Sequence, residues 1–155
     1  MIHITLKDGT VREAESGVTA AELAKSISGG LCRAACAAKI DGQVRDLRAP
    51  IEKDAAVEVL TFADEAGARA LRHTVSHILA QAVLRLYPDT LLATGPATDT
   101  GFFYDFGVAN AFGADDLAKI EAEMRAIVKE DLPLERFELP RAEALALEEE
   151  MGEPY

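Results

Sequence analysis

The longest stretch of helical hydrophobic periodicity in the chain runs from Asp64 to Leu86. This stretch has no proline, and its only glycine is Gly67, near its start. The scarcity of helix breakers predicts a helix of about 20 residues, which is long for a globular domain. At 100° per residue its apolar side chains gather into one stripe, which is expected to face a core. The stripe comprises Leu71, Val75, Ile78, Leu79, Ala82, Val83 and Leu86.

Two of the three histidines of the chain share another face of this helix. His73 and His77 are four residues apart, so their side chains project on the same side, nearly opposite the predicted apolar stripe. Their neighbours above and below are small or apolar, whereas a solvated face would normally carry Lys and Glu. These neighbours are Ala66, Ala70, Ala80 and Leu84. Two imidazoles on an uncharged face form a candidate site.

Residues 1–62 show the pattern of a small sheet with one helix. Residues 2–6 alternate as a strand, Asp8-Gly9 marks a turn, and residues 11–14 return as a partner strand. Thr19 and Glu22 have the spacing of a capping box, so a helix begins there.

The second half of this region predicts how the helix ends and how the sheet closes. Gly29-Gly30 is expected to end the helix in a left-handed conformation. Strands follow at 34–40 and 43–47 around Asp41-Gly42, Pro50 interrupts the pattern, and residues 56–62 alternate as a final strand. The order hairpin, helix, short strands and final strand predicts a β-grasp, or ubiquitin-like, fold.

Residues beyond the long helix predict a smaller mixed structure. Tyr87-Pro88 ends the helix, and two strands are expected within residues 91–106, joined around Gly95-Pro96 and Gly101. Alternation places Phe102, Tyr104 and Phe106 on one face of the second strand, with Phe103 and Asp105 on the other. A tyrosine among buried rings needs a partner for its hydroxyl, so Tyr104 is a candidate for a pocket wall. The alternative is an amphipathic core strand.

The last third of the chain predicts a helix over 115–130, a strand over 134–139 and a final helix that begins at Pro140. The side chains expected to face inward from the first of these helices are Leu117, Ile120, Met124, Ile127 and Val128.

Charge, hydropathy and cysteine spacing limit the classes of partner that the sequence predicts. The net charge is −11, and residues 108–155 carry 13 of the 27 acidic residues but only 5 of the 16 basic ones. This acidity argues against unaided nucleic-acid binding. No apolar run approaches the roughly 20 residues of a membrane span, and the N-terminus lacks the pattern of a signal peptide. Cys32 and Cys36 are expected to be reduced structural thiols that share one side of a strand, because their C-x3-C spacing differs from the usual zinc-knuckle spacing.

Three interpretations of His73 and His77 remain open from the residues alone. Both can be structural. They can chelate a metal ion, although Thr74 stands where the helix of zinc proteases has its glutamate, and no Cys, Asp or Glu on this face supplies a third ligand. They can also form half of a hydrolytic or RNA-end-binding pocket, in which neutral imidazoles bind a hydroxyl or orient a water molecule.

The combination of motifs resembles one enzyme family. Residues 4–10, the helix at Thr19 and residues 40–47 resemble the TGS module, which occurs in threonyl-tRNA synthetases, some GTPases and stringent-response enzymes. Together with residues 72–79, Gly95-Pro96 and residues 101–105, they make the whole chain similar to the N-terminal region of bacterial-type threonyl-tRNA synthetases.

This resemblance implies an α+β chain, with a β-grasp TGS domain at 1–62 and the N-terminal part of a tRNA-editing domain at 63–155. The editing domain, also called the second additional domain, is shared with alanyl-tRNA synthetases and hydrolyses serine wrongly esterified to threonine tRNA. His73 and His77 match the paired editing histidines of the family, and Tyr104 matches a pocket tyrosine. The implied roles are contact with the ribose of the terminal adenosine and positioning of the attacking water, with no covalent nucleophile.

The resemblance also implies parts that this sequence does not carry. They are a lysine just after Tyr155, a later Cys-x3-His, the catalytic core of the parent ligase with its ATP, Mg and Zn, and an anticodon-binding domain. The chain is therefore expected to be a fragment with an incomplete pocket, no bound cofactor or metal ion, and little or no editing activity of its own.

The expected partners are the 3′ end of threonine tRNA and the other domains of the same parent chain, in a homodimeric, cytoplasmic parent without membrane contact. One alternative is a non-catalytic TGS-containing module that binds RNA or ribosomal partners, and another is a small metallohydrolase.

Overall fold

The computed structural model describes residues 1–152, which form parts of two compact units divided between Arg72 and His73. This division falls inside a long helix. The domain boundary predicted between residues 62 and 63 lies before that helix begins and stays a prediction. Residues 153–155, after which the resemblance implies a lysine, lie outside the described residues.

Unit 1 contains a five-stranded sheet in the order β2-β1-β7-β4-β5, in which β1 and β7 are parallel and the other pairs are antiparallel. The strands of the unit are β1 (Ile2–Leu6), β2 (Val11–Ala14), β3 (Val18–Thr19), β4 (Ala35–Ile40), β5 (Gln43–Arg45), β6 (Pro50–Ile51) and β7 (Ala55–Thr61). Two helices, α1 (Ala20–Ile27) and α2 (Gly29–Ala34), precede β4. Strands β3 and β6 form a separate small sheet. This arrangement confirms the predicted β-grasp fold.

The core of unit 1 lies between the sheet and α1. Ile2 and Ile4 are buried while His3 and Thr5 of the same strand are exposed, so β1 follows the predicted alternation. Leu23 of α1 packs with them. The capping box predicted at the start of α1 is present, because Thr19 and Glu22 each accept the other's backbone N–H, at 2.9 and 3.2 Å.

The two Asp-Gly turns also form as predicted. Gly9 has a φ of 84°, and Asp41 and Gly42 have φ angles of 48° and 81°. Two successive positive φ angles are the requirement of a type I′ hairpin turn, and this explains the sharp reversal between β4 and β5.

The predicted role of Gly29-Gly30 is wrong. Helix α1 ends at Ser28 in an extended conformation, and the two glycines begin α2 because the Ser28 hydroxyl accepts the N–H of Leu31, at 3.0 Å. Serine is a strong N-cap, and here this preference outweighs the tendency of glycine to end helices. Cys32 consequently lies in α2 rather than in a strand, while Cys36 lies in β4.

Helix α3 (Glu65–Leu86) confirms the long helix predicted from residues 64–86 and continues from unit 1 into unit 2. Unit 2 also contains β8 (Leu91–Leu92), β9 (Phe106–Gly107), α4 (Ala114–Glu130) and α5 (Arg141–Met151). Strands β8 and β9 pair antiparallel, so the segment between them is a hairpin. Among the described residues, no helix is both long and apolar enough to cross a membrane.

The core of unit 2 is formed by α3, α4 and aromatic side chains. Ala82 and Val83 of α3 are buried together with Ile120 and Ile127 of α4. Leu117 and Val128, predicted to face inward, are instead 62% and 61% exposed, because the buried face of α4 is narrower than the apolar pattern suggests.

The predicted strand over residues 134–139 is not formed. The structure has no strand between α4 and α5, and every residue from 131 to 140 is exposed. Alternation indicates which side of a strand would be buried, but a strand also needs a neighbouring strand to pair with. The following helix is present and begins at Arg141, directly after Pro140 as predicted.

Gly67 provides a test of the packing in unit 1. A Cβ atom at this position would lie 2.0 Å from the carbonyl oxygen of Thr61 and 2.8 Å from Sγ of Cys36. We expect Gly67→Ala to lower the free energy of unfolding by about 1–3 kcal/mol, because the backbone of β7 cannot yield as a flexible side chain would. Urea denaturation followed by circular dichroism measures this change.

Gly30→Ala is the matched control, because its nearest neighbour would be the Ser28 hydroxyl at 3.8 Å and alanine favours a helix. An equal loss of stability in both variants would contradict the assigned contact.

Candidate functional site

The two histidines of α3 are in direct contact. Both side chains are exposed, and their Nε2 atoms lie 3.1 Å apart. The rings are perpendicular, with centroids 4.6 Å apart. A hydrogen bond between two imidazole nitrogens needs a hydrogen on one and a lone pair on the other. At least one ring of the pair His73–His77 is therefore neutral when this bond is formed.

His77 is the ring whose charge is disfavoured. Although its side chain is exposed, partial desolvation lowers the pKa of His77 below its ordinary value, and the charge of His73 lowers it further. A lower pKa leaves a larger neutral fraction at neutral pH. His77 is thus suited to accept a proton or a hydrogen bond from a bound group.

The histidines stand at the edge of the buried arc of α3, which is wider than the predicted stripe. Ala82 and Val83 of that stripe face the core, as predicted. Ser76, Ala80 and Val83 are almost completely buried, whereas Leu71 and Leu86 at the ends of the predicted stripe are exposed. At 100° per residue, Ser76 and Ala80 extend the burial beyond the stripe toward the histidines, and His73 lies only about 20° around the helix from Ala80. Both imidazoles therefore stand at the rim of the packed face.

Ser76 connects α3 to the hairpin. Its side chain is fully buried, and its Oγ lies 2.8 Å from the carbonyl oxygen of His73 and 2.9 Å from that of Gly95. The hydroxyl has one hydrogen, which the two carbonyls share. The first contact is a bond to the preceding helical turn, and the second fixes a hairpin residue beside the helix between the two histidines.

Tyr104 lies on the same hairpin. Phe102, Tyr104 and Phe106 are partly buried and Phe103 and Asp105 are exposed, which confirms the predicted alternation although regular pairing is confined to short stretches. The ring of Tyr104 stacks on Phe106 with centroids 4.7 Å apart and 16° between the planes.

Gly95 packs directly against Tyr104. A Cβ at Gly95 would lie 2.1 and 2.3 Å from two carbon atoms of the Tyr104 ring. The structure therefore brings His73 and His77 into contact and links Tyr104 to them through Gly95 and Ser76, all within unit 2.

The sequence interpretation missed Ser76 and Gly95. Ser76 precedes Ala80 by four residues and Val83 by seven, so the sequence places its hydroxyl beside apolar positions on one side of the helix, and this was the available signal. The close approach of Gly95 to an aromatic ring has no comparable signature, since the two residues are nine positions apart in an irregular hairpin.

The arrangement can bind or move protons but supplies few metal ligands. Within residues 1–152, no three His, Cys, Asp or Glu side chains are grouped to hold a metal ion. If one ring carries its hydrogen on Nε2 and the other on Nδ1, the facing Nε2 atoms offer one N–H and one lone pair. If both rings carry their hydrogen on Nδ1, the two Nε2 atoms offer two lone pairs.

The pKa of His77 can be tested directly by NMR titration of the imidazole protons. We expect His77 to titrate below its ordinary value of 6.5, and His73→Gln to raise that pKa partway, because it removes the charge but leaves the desolvation. His3→Gln, in unit 1, is the control and should have no effect.

The lowered pKa also makes the stability of the fold depend on pH. Because His77 binds a proton more readily in the unfolded chain than in the folded one, the stability contributed by its neutral form is complete above pH 6.5. That stability is lost as the pH falls from 6.5 through the pKa of His77 in the folded chain. A pKa of His77 at or above 6.5 in the unsubstituted chain would contradict this description.

Comparison with known proteins agrees with the β-grasp fold of unit 1 and shows similarity to known proteins over the rest of the chain as well. The family model described as "TGS domain" matches residues 2–61. The chain is 58% identical over all 155 residues to the threonine–tRNA ligase of Acetivibrio thermocellus, and 56% identical over the same length to that of Clostridium botulinum strain Hall. The match covers 100% of this chain but 24% of each relative, so the chain spans about a quarter of the length of these curated proteins. Residues 2–61 therefore match the TGS domain, and the chain as a whole is similar to the N-terminal region of the threonine–tRNA ligases.

Proposed function

We propose that this chain is the N-terminal portion of a threonine–tRNA ligase, and that His73, His77 and Tyr104 form part of a site that hydrolyses serine wrongly attached to threonine tRNA. The observation that carries the proposal is the contact between the two imidazoles, 3.1 Å between Nε2 atoms at an exposed rim. The identity to threonine–tRNA ligases over the full chain supports the choice of substrate.

A second, hydrolytic site is needed because a binding site for threonine cannot exclude serine well enough. Serine lacks one methyl group of threonine, and the loss of a methyl-sized contact is worth only about 1–3 kcal/mol. A synthetic site selective for threonine therefore accepts serine at an appreciable rate. A second site that hydrolyses the product restores accuracy.

The histidines can serve this hydrolysis without forming a covalent bond to the substrate. A water molecule attacks the ester carbonyl carbon, the bond from that carbon to the ribose oxygen breaks, and the ribose oxygen takes up a proton. The neutral imidazole of His77 accepts a hydrogen bond from the water or the ribose hydroxyl, and its partner holds the second position at the same edge. Because an activated ester is attacked directly by a positioned water, the task of the pair is orientation and proton transfer.

Tyr104 is proposed as a wall of this pocket. Its ring is held by Gly95 and Phe106. Because the ring is already held in place, it loses little conformational entropy when the terminal adenosine binds.

The ligase reaction is proposed for the parent enzyme, since the chain corresponds to 24% of the length of its relatives. We assign ATP, magnesium and zinc to the other domains of that parent. The proposed partners are the 3′ end of threonine tRNA, the other domains of the same chain and a second copy of the parent. Repulsion of phosphate by the acidic residues 108–155 favours an approach of the tRNA end to residues 63–107. The proposed location is the cytoplasm.

Deacylation of seryl-tRNA(Thr) by a protein that carries this chain together with the rest of the ligase tests the proposal. We expect His73→Ala and His77→Ala each to slow hydrolysis by at least about tenfold, because each removes a group that orients or exchanges a proton. Charging of tRNA with threonine should be unchanged.

His3→Ala is the matched control, because His3 lies on the sheet of unit 1 beside Glu13 and Asp54. Normal deacylation by the His73→Ala, His77→Ala double variant would contradict the assignment. A parent that binds RNA but never hydrolyses seryl-tRNA(Thr) would favour a non-catalytic TGS-containing module.

A further inference from the structure

We propose that Ser76 and Gly95 are the positioning residues of this site: the Ser76 hydroxyl holds the Gly95 carbonyl against α3, and the bare Cα of Gly95 sets where the Tyr104 ring stands relative to the two histidines. The proposal rests on the proposed function for its catalytic consequence, but its structural content can be tested without any activity.

The buried hydroxyl of Ser76 makes one contact more than its helix requires. A serine inside a helix commonly donates to a carbonyl three or four residues earlier, as Ser76 does to His73 at 2.8 Å. Ser26 in α1 makes the same local contact with Leu23, also at 2.8 Å, and within residues 1–152 its hydroxyl reaches no second carbonyl. Ser76 additionally reaches Gly95, 19 residues later in the chain. This long-range contact ties the hairpin to the helix at the position next to His77.

Gly95 transmits this anchor to Tyr104. Its backbone approaches the ring so closely that a Cβ would overlap the ring carbons at 2.1 and 2.3 Å. Gly101, in the same hairpin, has nothing within 4 Å of the corresponding position. Neither glycine has a positive φ, so space, rather than backbone conformation, distinguishes the two positions.

The ring cannot move away from Gly95 without disturbing the core. Tyr104 stacks on Phe106, which meets Phe112 edge to face at 5.9 Å between centroids. Phe106 and Phe112 both pack against the buried cluster of unit 2. A substitution that enlarges residue 95 must therefore displace Tyr104 or shift the hairpin relative to α3, and either movement changes the separation between the tyrosine and the imidazoles.

The structural test compares two pairs of variants of the 155-residue chain by NMR. We expect Gly95→Ala and Ser76→Ala to shift the ring resonances of Tyr104 and the imidazole resonances of His73 and His77. The controls Gly101→Ala and Ser26→Ala should leave those resonances in place. Tyr87, whose hydroxyl donates to Asp116 at 2.8 Å, is an internal control that should not respond to any of the four changes.

The catalytic test uses seryl-tRNA(Thr) and the protein that carries the rest of the ligase. Since a misplacement of about 1 Å can cost up to a hundredfold in rate, we expect kcat for deacylation to fall at least about tenfold in Gly95→Ala and Ser76→Ala, with KM changed less than about twofold. Ser76→Thr, which keeps the hydroxyl, should recover most of the kcat lost in Ser76→Ala. A purely stabilising role would instead lower the amount of folded protein without this separation of kcat from KM.

Each outcome decides the proposal. Unshifted Tyr104 and histidine resonances in Ser76→Ala, a variant that adds no atoms, would overturn it even if Gly95→Ala failed to fold. Equal shifts in Gly101→Ala would also overturn it. If the unsubstituted ligase did not hydrolyse seryl-tRNA(Thr), the proposed function would fail, and the NMR comparison would still decide whether Ser76 and Gly95 position Tyr104.

Discussion

The burial of the Ser76 side of α3 is the constraint on which the second unit depends. Val83 and Ala80 on this face are covered, and Ser76 is covered with them because its hydroxyl finds two carbonyl acceptors. The bond to the His73 carbonyl satisfies the buried hydroxyl within the helix, and the second contact places the Gly95 carbonyl of the hairpin against α3. The same burial leaves His73 and His77 at the rim, in contact with each other and open to a ligand. Packing and site geometry are thus consequences of one interaction.

The first unit shows how far local signals can specify a fold. The capping box at Thr19 and the turns at Gly9 and Gly42 are interactions between residues that are close in sequence, and all three form as predicted. Alternation in β1 then identifies the buried face of the sheet. Only the competition between Ser28 and the glycines after it was misjudged, because two valid local preferences pointed to different structures.

The second unit shows why part of the site could not be predicted. The periodicity of α3 gives the helix, the core-facing Ala82 and Val83 and the shared face of the histidines, but the further burial of Ser76 and Ala80 depends on which neighbours pack there. A serine and two small residues proved more buried than Leu71 and Leu86. The contact between Gly95 and Tyr104 depends on an irregular hairpin, for which period-two alternation predicts the faces but not the distances. Residues 134–139 failed as a strand for a related reason, since pairing is a property of two segments.

The most direct test of the proposed pocket on α3 is a titration of the 155-residue chain with a non-hydrolysable analogue of 3′-seryl-adenosine, in which an amide replaces the ester. NMR would follow the imidazole resonances of all three histidines. We expect saturable shifts at His73 and His77, with the resonances of His3 unchanged. Saturation of the analogue without any shift at His73 or His77, or equal shifts at His3, would contradict the claim that this face of α3 belongs to the editing pocket.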